Sequence, residues 1–450
     1  MIEMDGLPPG RRRWALMAQS MVIAMAVLDG SITNIALPSI ASDLHIQPAQ
    51  SILVVNAYQL AITISLLPLA SLGDIYGYRR VYGWGVTIFT VASLACALSA
   101  SLPMLAIARV IQGFGAAGLM SVNTALVRFI FPRAELGRGM GINGLVVSVS
   151  AAAGPSLAAA ILTVAPWPYL FFINVPIGIA AIAMIRTLPA TPLATHRFDW
   201  RSACLNAAMF GLFIAGVDGI GHGQSAPLVM AELAAAAAIG VVFVRSQFGM
   251  RAPILPVELF AIPAFSLSVL TSVCSFVAAS MAFVSMPFLF EAGGLSTVDT
   301  GLLITPWPVT AAIMAPIAGR LSDRIPAGKL GGLGLLVLGL GLFAVANIPA
   351  NPAWWNVAWR MAMCGGGFAL FQAPNNRLLI ASTPRARSGA GSGVLSSARL
   401  LGQTLGAALV AVTFGFTEAA GVGEGAHLAI MVGSAAALVA MAVSLLRLRV

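Results

Sequence analysis

Apolar runs of about twenty residues recur from one end of this chain to the other, and a run of that length crosses a bilayer as a helix. They fall at roughly 14–37, 52–72, 82–101, 103–125, 139–163, 168–187 and 203–220, and again at roughly 228–246, 264–289, 299–319, 331–348, 354–375, 391–415 and 427–446. A soluble protein of 450 residues could not cover its surface with only 9% charged residues. The chain is therefore predicted to be an all-α polytopic membrane protein of about fourteen spans. The first run is too long for a cleavable signal peptide, and neither an Ala-x-Ala site nor a soluble domain follows it.

The basic residues orient these spans. Arg11, Arg12 and Arg13 precede the first, and Arg79 and Arg80 separate the second from the third. Arg128, Arg133, Arg138, Arg186, Arg197, Arg201, Arg245 and Arg251 follow on the same side, then Arg320, Arg324, Lys329, Arg377, Arg385, Arg387, Arg447 and Arg449. The opposite loops hold Asp43, Glu291, Asp299, Glu418 and Glu424 and no Lys or Arg. By the positive-inside rule both termini are cytoplasmic, in a bacterial-type inner membrane. The net charge of +9 is thus a topogenic signal and not a nucleic-acid patch.

Few charges lie inside the runs, and each is a candidate for function, because a carboxylate at mid-bilayer costs several kcal/mol. Asp29 sits deep in the first run. Arg109 lies about 10 Å in from the outer end of the fourth, at a depth similar to that of Asp29. A buried charge demands a partner, so Asp29 and Arg109 are read as a pair; backbone carbonyls or the neighbourhood of Gln112 are the alternative partners of Arg109. Arg360 and Arg399 are the other intramembrane arginines and are expected to tie helices of the second half together. Asn34, Asn56, Tyr58, Gln59 and Gln112 place polar groups in the spans, and Trp307 an aromatic one. They either line a substrate cavity or hold helices together. Asp218 and Glu232, near the outer ends of the seventh and eighth spans, read as hydrated interfacial residues.

The two ends of the chain echo each other at an offset of roughly 250 residues. Asp74, Gly77, Arg79 and Arg80 after the second span are matched by Asp323, Arg324 and Lys329 after the tenth. Arg109 is matched by Arg360, and Gly113, Gly115 and Gly118 by Gly365, Gly366 and Gly367. Parallel six-helix repeats are a build of secondary transporters. They divide the chain into a first bundle at 1–190, a linker with two additional spans at 191–255, and a second bundle at 256–450. The charged loops read as a cytoplasmic gate, with Asp74 free to pair with arginines or with a helix N-terminus. Gly154-Pro155 in the fifth span must kink that helix, since proline leaves one carbonyl without its partner.

Taken together, these motifs resemble the major facilitator superfamily, and within it the fourteen-span drug:proton antiporters of the EmrB/QacA type. The resemblance rests on Leu28 to Pro38, on the loop around Asp74, on Arg109 to Gly115, and on Ala153-Gly154-Pro155. It rests also on Phe171 to Gly178, Arg197 to Trp200 and Arg399-Leu400-Leu401-Gly402. The loop motif departs from the pattern, with Ala70 in place of a usual glycine and Ile75 in place of a basic residue. The resemblance implies two six-helix bundles around two extra central helices, and alternating access with the loop as gate. It associates Gly154-Pro155 with antiport.

No Gly-x-x-x-x-Gly-Lys-Ser/Thr loop occurs, so ATP hydrolysis by this chain is excluded. Four scattered cysteines and four scattered histidines suggest neither a disulfide framework nor a metal site, and no cofactor is expected. An integral-membrane enzyme or sensor would need a polar cluster or a soluble domain that the sequence does not hold. What remains is a proton-coupled antiporter exporting small lipophilic, in one form cationic, compounds, with Asp29 as coupling acid. A narrow exporter or importer of a metabolite or antibiotic is the alternative. Its partners are the substrate, protons and lipid; the sequence carries no docking element for an adaptor.

Overall fold

The computed structural model describes residues 6–132, 135–191, 193, 198–221, 224–250, 253–322, 324–349, 352–382, 388–417, 419 and 421–449. Among them every regular element is helical, as an apolar chain in lipid requires, because a helix satisfies its own backbone. The first half comprises α1 (Pro9–Asp43), α2 (Pro48–Ser51), α3 (Leu53–Tyr76), α4 (Tyr78–Ala97), α5 (Leu102–Ile130), α6 (Leu136–Val164), α7 (Pro168–Phe172) and α8 (Asn174–Met184). An additional pair follows, α9 (Trp200–Gly221) and α10 (Ala226–Gln247). The second half comprises α11 (Pro263–Ala292), α12 (Thr297–Ile304), α13 (Pro306–Leu321), α14 (Ala327–Ala346), α15 (Trp354–Ala381), α16 (Ser388–Phe416) and α17 (Val422–Leu446).

Thirteen helical segments are long and apolar enough to cross a membrane, with α2 joined to α3, α7 to α8 and α12 to α13. The sequence count of about fourteen exceeds this by α15, a 28-residue helix packed along α13 and α14. Its hydropathy is lowered by Arg360, Asn375, Asn376 and Arg377. The first helix outruns its predicted end at residue 37, passing through Pro38 to Asp43. Proline forfeits only its own N–H bond, and helices in lipid tolerate that loss.

Glycine sets how closely the helices approach. A Cβ on Gly115 would lie 2.9 Å from the carbonyl oxygen of Gly85, so α4 and α5 meet backbone to backbone. The second half repeats the crossing: a Cβ on Gly367 would lie 2.7 Å from the carbonyl oxygen of Gly334, between α14 and α15. Gly154 of α6 packs on Ser31 of α1, and Gly406 of α16 packs on Ser280 of α11 in the same way. These matched contacts carry the internal repeat from sequence into three dimensions.

The halves are not equally joined at their two ends. One buried apolar cluster combines Ile35, Leu37, Ile40, Val54 and Leu170 of the first half with Met281, Met286, Phe290, Val410 and Phe414 of the second. All of these lie toward the end remote from the termini. At the end bearing the termini the cores are separate, one around Tyr82, Val122 and Ile130, with Leu400 reaching into it, and one around Leu259, Phe265 and Leu379. At the remote end Ser156 and Thr305 share a 2.9 Å hydrogen bond across the halves, and Gly301 of α12 lies on the carbonyl of Pro155. The fold is closed at the remote end. The additional pair packs through α9 on both α3 and α16. Asn206 of α9 donates to the carbonyl of Ile64 at 2.8 Å, and Asn56 of α3 donates to Asp218 at 2.9 Å.

Candidate functional site

Four side chains from three helices converge inside the first half. Asp29 comes from α1, Arg109 and Gln112 from adjacent turns of α5, and Asn174 from the first residue of α8. Arg109 Nη1 donates to Asp29 Oδ2 at 2.6 Å, and Gln112 Nε2 and Asn174 Nδ2 donate to Oδ1 at 2.9 and 2.8 Å. Asp29 is 2% exposed and Arg109 1%. Both oxygens of the carboxylate are thereby occupied by donors.

The guanidinium is as tightly held. Arg109 Nε donates to the carbonyl of Val54 at 3.0 Å, and Nη1 reaches Gln112 Oε1 at 2.7 Å. The Tyr58 ring lies 3.9 Å and the Phe171 ring 5.5 Å from the guanidinium carbon, within cation–π range. Gln112 is itself fixed, donating to Ser93 Oγ at 2.9 Å. Six elements of one half, α1, α3, α4, α5, α7 and α8, thus meet at one ion pair. The depth-matched pairing of Asp29 and Arg109 read from the sequence is the arrangement found, and the alternative partners of Arg109, a backbone carbonyl and Gln112, are engaged as well. Chemically, the cluster holds one ionisable carboxylate whose protonation would remove the charge opposite Arg109. Among the described residues no group of three or more His, Cys, Asp and Glu is placed to hold a metal.

The remaining predicted residues are distributed around this centre. Tyr58 and Gln112 belong to it. Asn56 is spent on Asp218, so that acid is not simply hydrated, and one of the two readings of Asn56, helix tying, is realised. The amide oxygens of Asn34, Asn56 and Gln59 are buried with no hydrogen-bond partner. Trp307 is 2% exposed and packs against Phe283, ring centroids 4.7 Å apart. Asp74 accepts from Tyr78 Oη at 2.5 Å and forms no ion pair among the described residues. Gly77 has φ +93°, a left-handed conformation that turns α3 into α4, and Tyr78 N donates to Thr191 Oγ1 at 3.0 Å. Arg79 Nη1 reaches the carbonyl of Leu188 at 3.5 Å, while Arg80 and Arg324 are exposed. Asp323 lies outside the described residues. Gly154 packs on α1 and the carbonyl of Pro155 faces Gly301, so the antiporter-like motif sits at the contact between the halves.

Two expectations about arginines are corrected. Arg360 does not tie helices: its Nε and Nη1 are buried without a hydrogen-bond partner, and its guanidinium leans on the Trp359 ring at 5.2 Å. Arg399 makes no hydrogen bond or ion pair among the described residues. The repeat also fails at the decisive position. Since Ser280 takes the contact of Ser31, Ala278 takes the place of Asp29, and the second half has no counterpart to the carboxylate.

Sequence reading missed two polar centres. Asn174 lies within the Phe171–Gly178 motif of the resemblance, yet no role attached to it there, and its tertiary partner had no local signature. Arg447 was read as a topogenic charge, yet it is 8% exposed and donates to Asn375 Oδ1 at 2.6 Å and to Ser268 Oγ at 3.3 Å. Replacing Asn174 by Ala removes one of three donors to Asp29 and is expected to cost about 1.5–3 kcal/mol, the range for a hydrogen bond to a charged group. The melting temperature of the purified variant checks this; a value equal to the parent's would show that the amide does not hold the carboxylate.

A multi-span helical fold with two quasi-equivalent halves, closed at one end over a buried ion pair, defines a membrane transporter and not an enzyme. The family model described as Major Facilitator Superfamily matches residues 20–407 and again 268–449, and the chain belongs to that superfamily. It is 52% identical to the "Uncharacterized transporter YebQ" of Escherichia coli (strain K12), over 99% of this chain and 98% of that protein. It is 31% identical to the "Multidrug resistance protein Stp" of Mycobacterium tuberculosis (strain CDC 1551 / Oshkosh), over 88% of this chain and 74% of that protein. In three dimensions it is similar to a bacterial homologue of the human lysosomal transporter Spinster, solved in an inward-facing and unoccupied conformation. That similarity has a TM-score of 0.71 at 17% identity and covers 99% of this chain and 98% of that one. The chain is thus an integral membrane transporter of small molecules.

Proposed function

We propose that this transporter is a proton-coupled antiporter that exports small lipophilic compounds by alternating access, of the fourteen-span EmrB/QacA type. The observation that carries the reading is the buried Asp29, the one carboxylate enclosed at mid-depth of either bundle among the described residues. Its ionised form is held by Arg109, Gln112 and Asn174. A proton arriving on Asp29 cancels the charge that Arg109 compensates and loosens α1 from α5. Helix α1 also packs on α11 and α12, so its release bears on the contact between the halves.

The remaining parts follow from this reading. Helix α15 is the fourteenth span, so that 1–190 and 256–450 form six-span bundles around the additional pair at 191–255. The basic loops place both termini in the cytoplasm, at the inner membrane, and the described conformation is then the one closed toward the outside. Asp74, Gly77, Arg79 and Arg80, with Asp323 and Arg324, form the gate that closes when the cavity turns outward. In the described conformation the Asp74 loop engages Tyr78 and Leu188 of the first bundle and Thr191 at the start of the linker, and no residue of the second bundle among those described.

The test is substrate-dependent proton movement in liposomes holding purified protein, with rhodamine 6G and fluorescein as substrates and Asp29→Asn in parallel. The parent is expected to exchange dye for protons, and the variant to lose proton-driven uptake against a gradient. Full proton-driven transport by Asp29→Asn would refute the assignment. Transport by the parent that ignores the proton gradient would refute proton coupling.

A further inference from the structure

Helix α16 has three sides whose neighbours are fixed. Thr404 shares a 2.9 Å hydrogen bond with Thr63 of α3. Gly402 and Gly406 lie on Val273 and Ser280 of α11, and Ala408 packs with Ile214 and Val217 of α9. At 3.6 residues per turn, the fourth side carries Ala407, Val410 and Phe414 in its remote part and Gln403, Arg399 and Ser396 toward the termini. The first three are buried in the cluster that joins the two halves. The last three are partly exposed. The same stripe therefore passes from the sealed contact into the region where the two cores separate, and Arg399 stands at that passage.

Its charge is unanswered. Among the described residues Arg399 has no hydrogen-bond or ion-pair partner. The deep carboxylate of the molecule, Asp29, is committed to Arg109 at 2.6 Å. The described acids of the second half, Glu258, Glu291, Asp299 and Glu424, sit at or beyond helix ends. A guanidinium held within a membrane protein without a counter-ion is costly, and partial exposure offsets that cost only in part. A ligand that brings a negative group supplies the missing partner, and arginine presents a fork of donors suited to a planar carboxylate.

We propose that Arg399 is the docking point for an anionic group, such as a carboxylate, sulfonate or phenolate, on the transported molecule. The proposal rests on the exporter reading for its cleft and deepens it by naming the charge of the substrate. It also replaces the cationic form of the substrate expected from the sequence, because Asp29, the deep carboxylate that would answer a cation, has donors on both oxygens and is 2% exposed.

The test is equilibrium binding, followed by fluorescence anisotropy on the purified full-length protein in an uncharged detergent. Fluorescein and rhodamine 6G are suitable probes, since they share a xanthene core and carry opposite charge. The parent is expected to bind fluorescein at least about tenfold more tightly than rhodamine 6G. Arg399→Gln should lose about tenfold for fluorescein with no loss for rhodamine 6G, whereas Arg399→Lys should keep most of the fluorescein affinity. A parent that prefers rhodamine 6G or binds no fluorescein overturns the proposal. So does an Arg399→Gln protein that loses both dyes equally. No ion gradient enters the measurement, so its outcome is separate from that of proton coupling: a parent protein whose dye transport ignores the proton gradient sinks the proton-coupled exporter reading and leaves the dye preference untouched.

Discussion

Arg109→Gln is expected to destabilise the protein by about 3–5 kcal/mol, the cost of leaving one member of a buried ion pair without the other. The geometry makes this substitution worse than the loss of one bond. Arg109 serves Asp29, Gln112 and the carbonyl of Val54 together, and Tyr58 and Phe171 flank it. Glutamine can restore at most part of that set, and Asp29 is left charged in a dry pocket. Combining Arg109→Gln with Asp29→Asn removes both charges and should recover much of the lost stability. Proton-driven transport should stay absent in the double variant, because the titratable group is gone. Melting temperatures of the four proteins in the cycle, with proton flux measured on each, separate the two roles. Additive losses of stability would show that the two side chains do not act as a pair.

The second large effect is expected at Gly301, where the halves touch. A Cβ there would lie 2.7 Å from the carbonyl oxygen of Pro155 and 2.9 Å from the Ala159 Cβ. Gly301→Val forces a wedge between α12 and α6, two elements of different halves, so each half retains its own core. Overpacking costs typically about 1–3 kcal/mol. Charged against the closed state alone, that shifts the balance between conformations by about 5- to 150-fold. Transport should fall accordingly while the protein still folds. A cysteine at Ala36, fully buried in the remote cluster, should then react faster with a membrane-impermeant maleimide added from the remote side, with the native cysteines replaced. The matching control is Gly319→Val, where a Cβ meets nothing within 4 Å. Unchanged labelling at Ala36 would show that Gly301 does not govern closure.

The elements most legible in the sequence were those fixed by solvent. Bilayer thickness sets the length of each run, so the helices were found with their ends off by a few residues; Pro38 and the polar stretch of α15 were the weak points. Depth along a helix is also readable, and counting residues was enough to bring Asp29 and Arg109 to the same level. The rotational setting of one helix against another is not readable in this way. Asn174, Arg399 and Arg447 show the consequence. A polar residue in an apolar run announces that it needs a partner, but the partner is chosen by packing of elements far apart in the chain. Arg447 found Asn375, Asn174 found Asp29, and Arg399 found no partner among the described residues. The glycine echoes, by contrast, were legible because close crossing leaves no room for a side chain, and that constraint acts on the sequence directly.

The additional pair gives the molecule a handedness toward the lipid. A transporter of two equal bundles has two lateral seams, and here one runs along α3 and α16 and the other along α6 and α12–α13. Helix α9 lies over the first, fastened to α3 by Asn206 and by Asn56 with Asp218 and resting on α16 through apolar contact. The second seam has no such cover among the described elements that pack on it. An amphiphile dissolved in the leaflet therefore meets one flank covered by α9 and one flank without such a cover among the described elements.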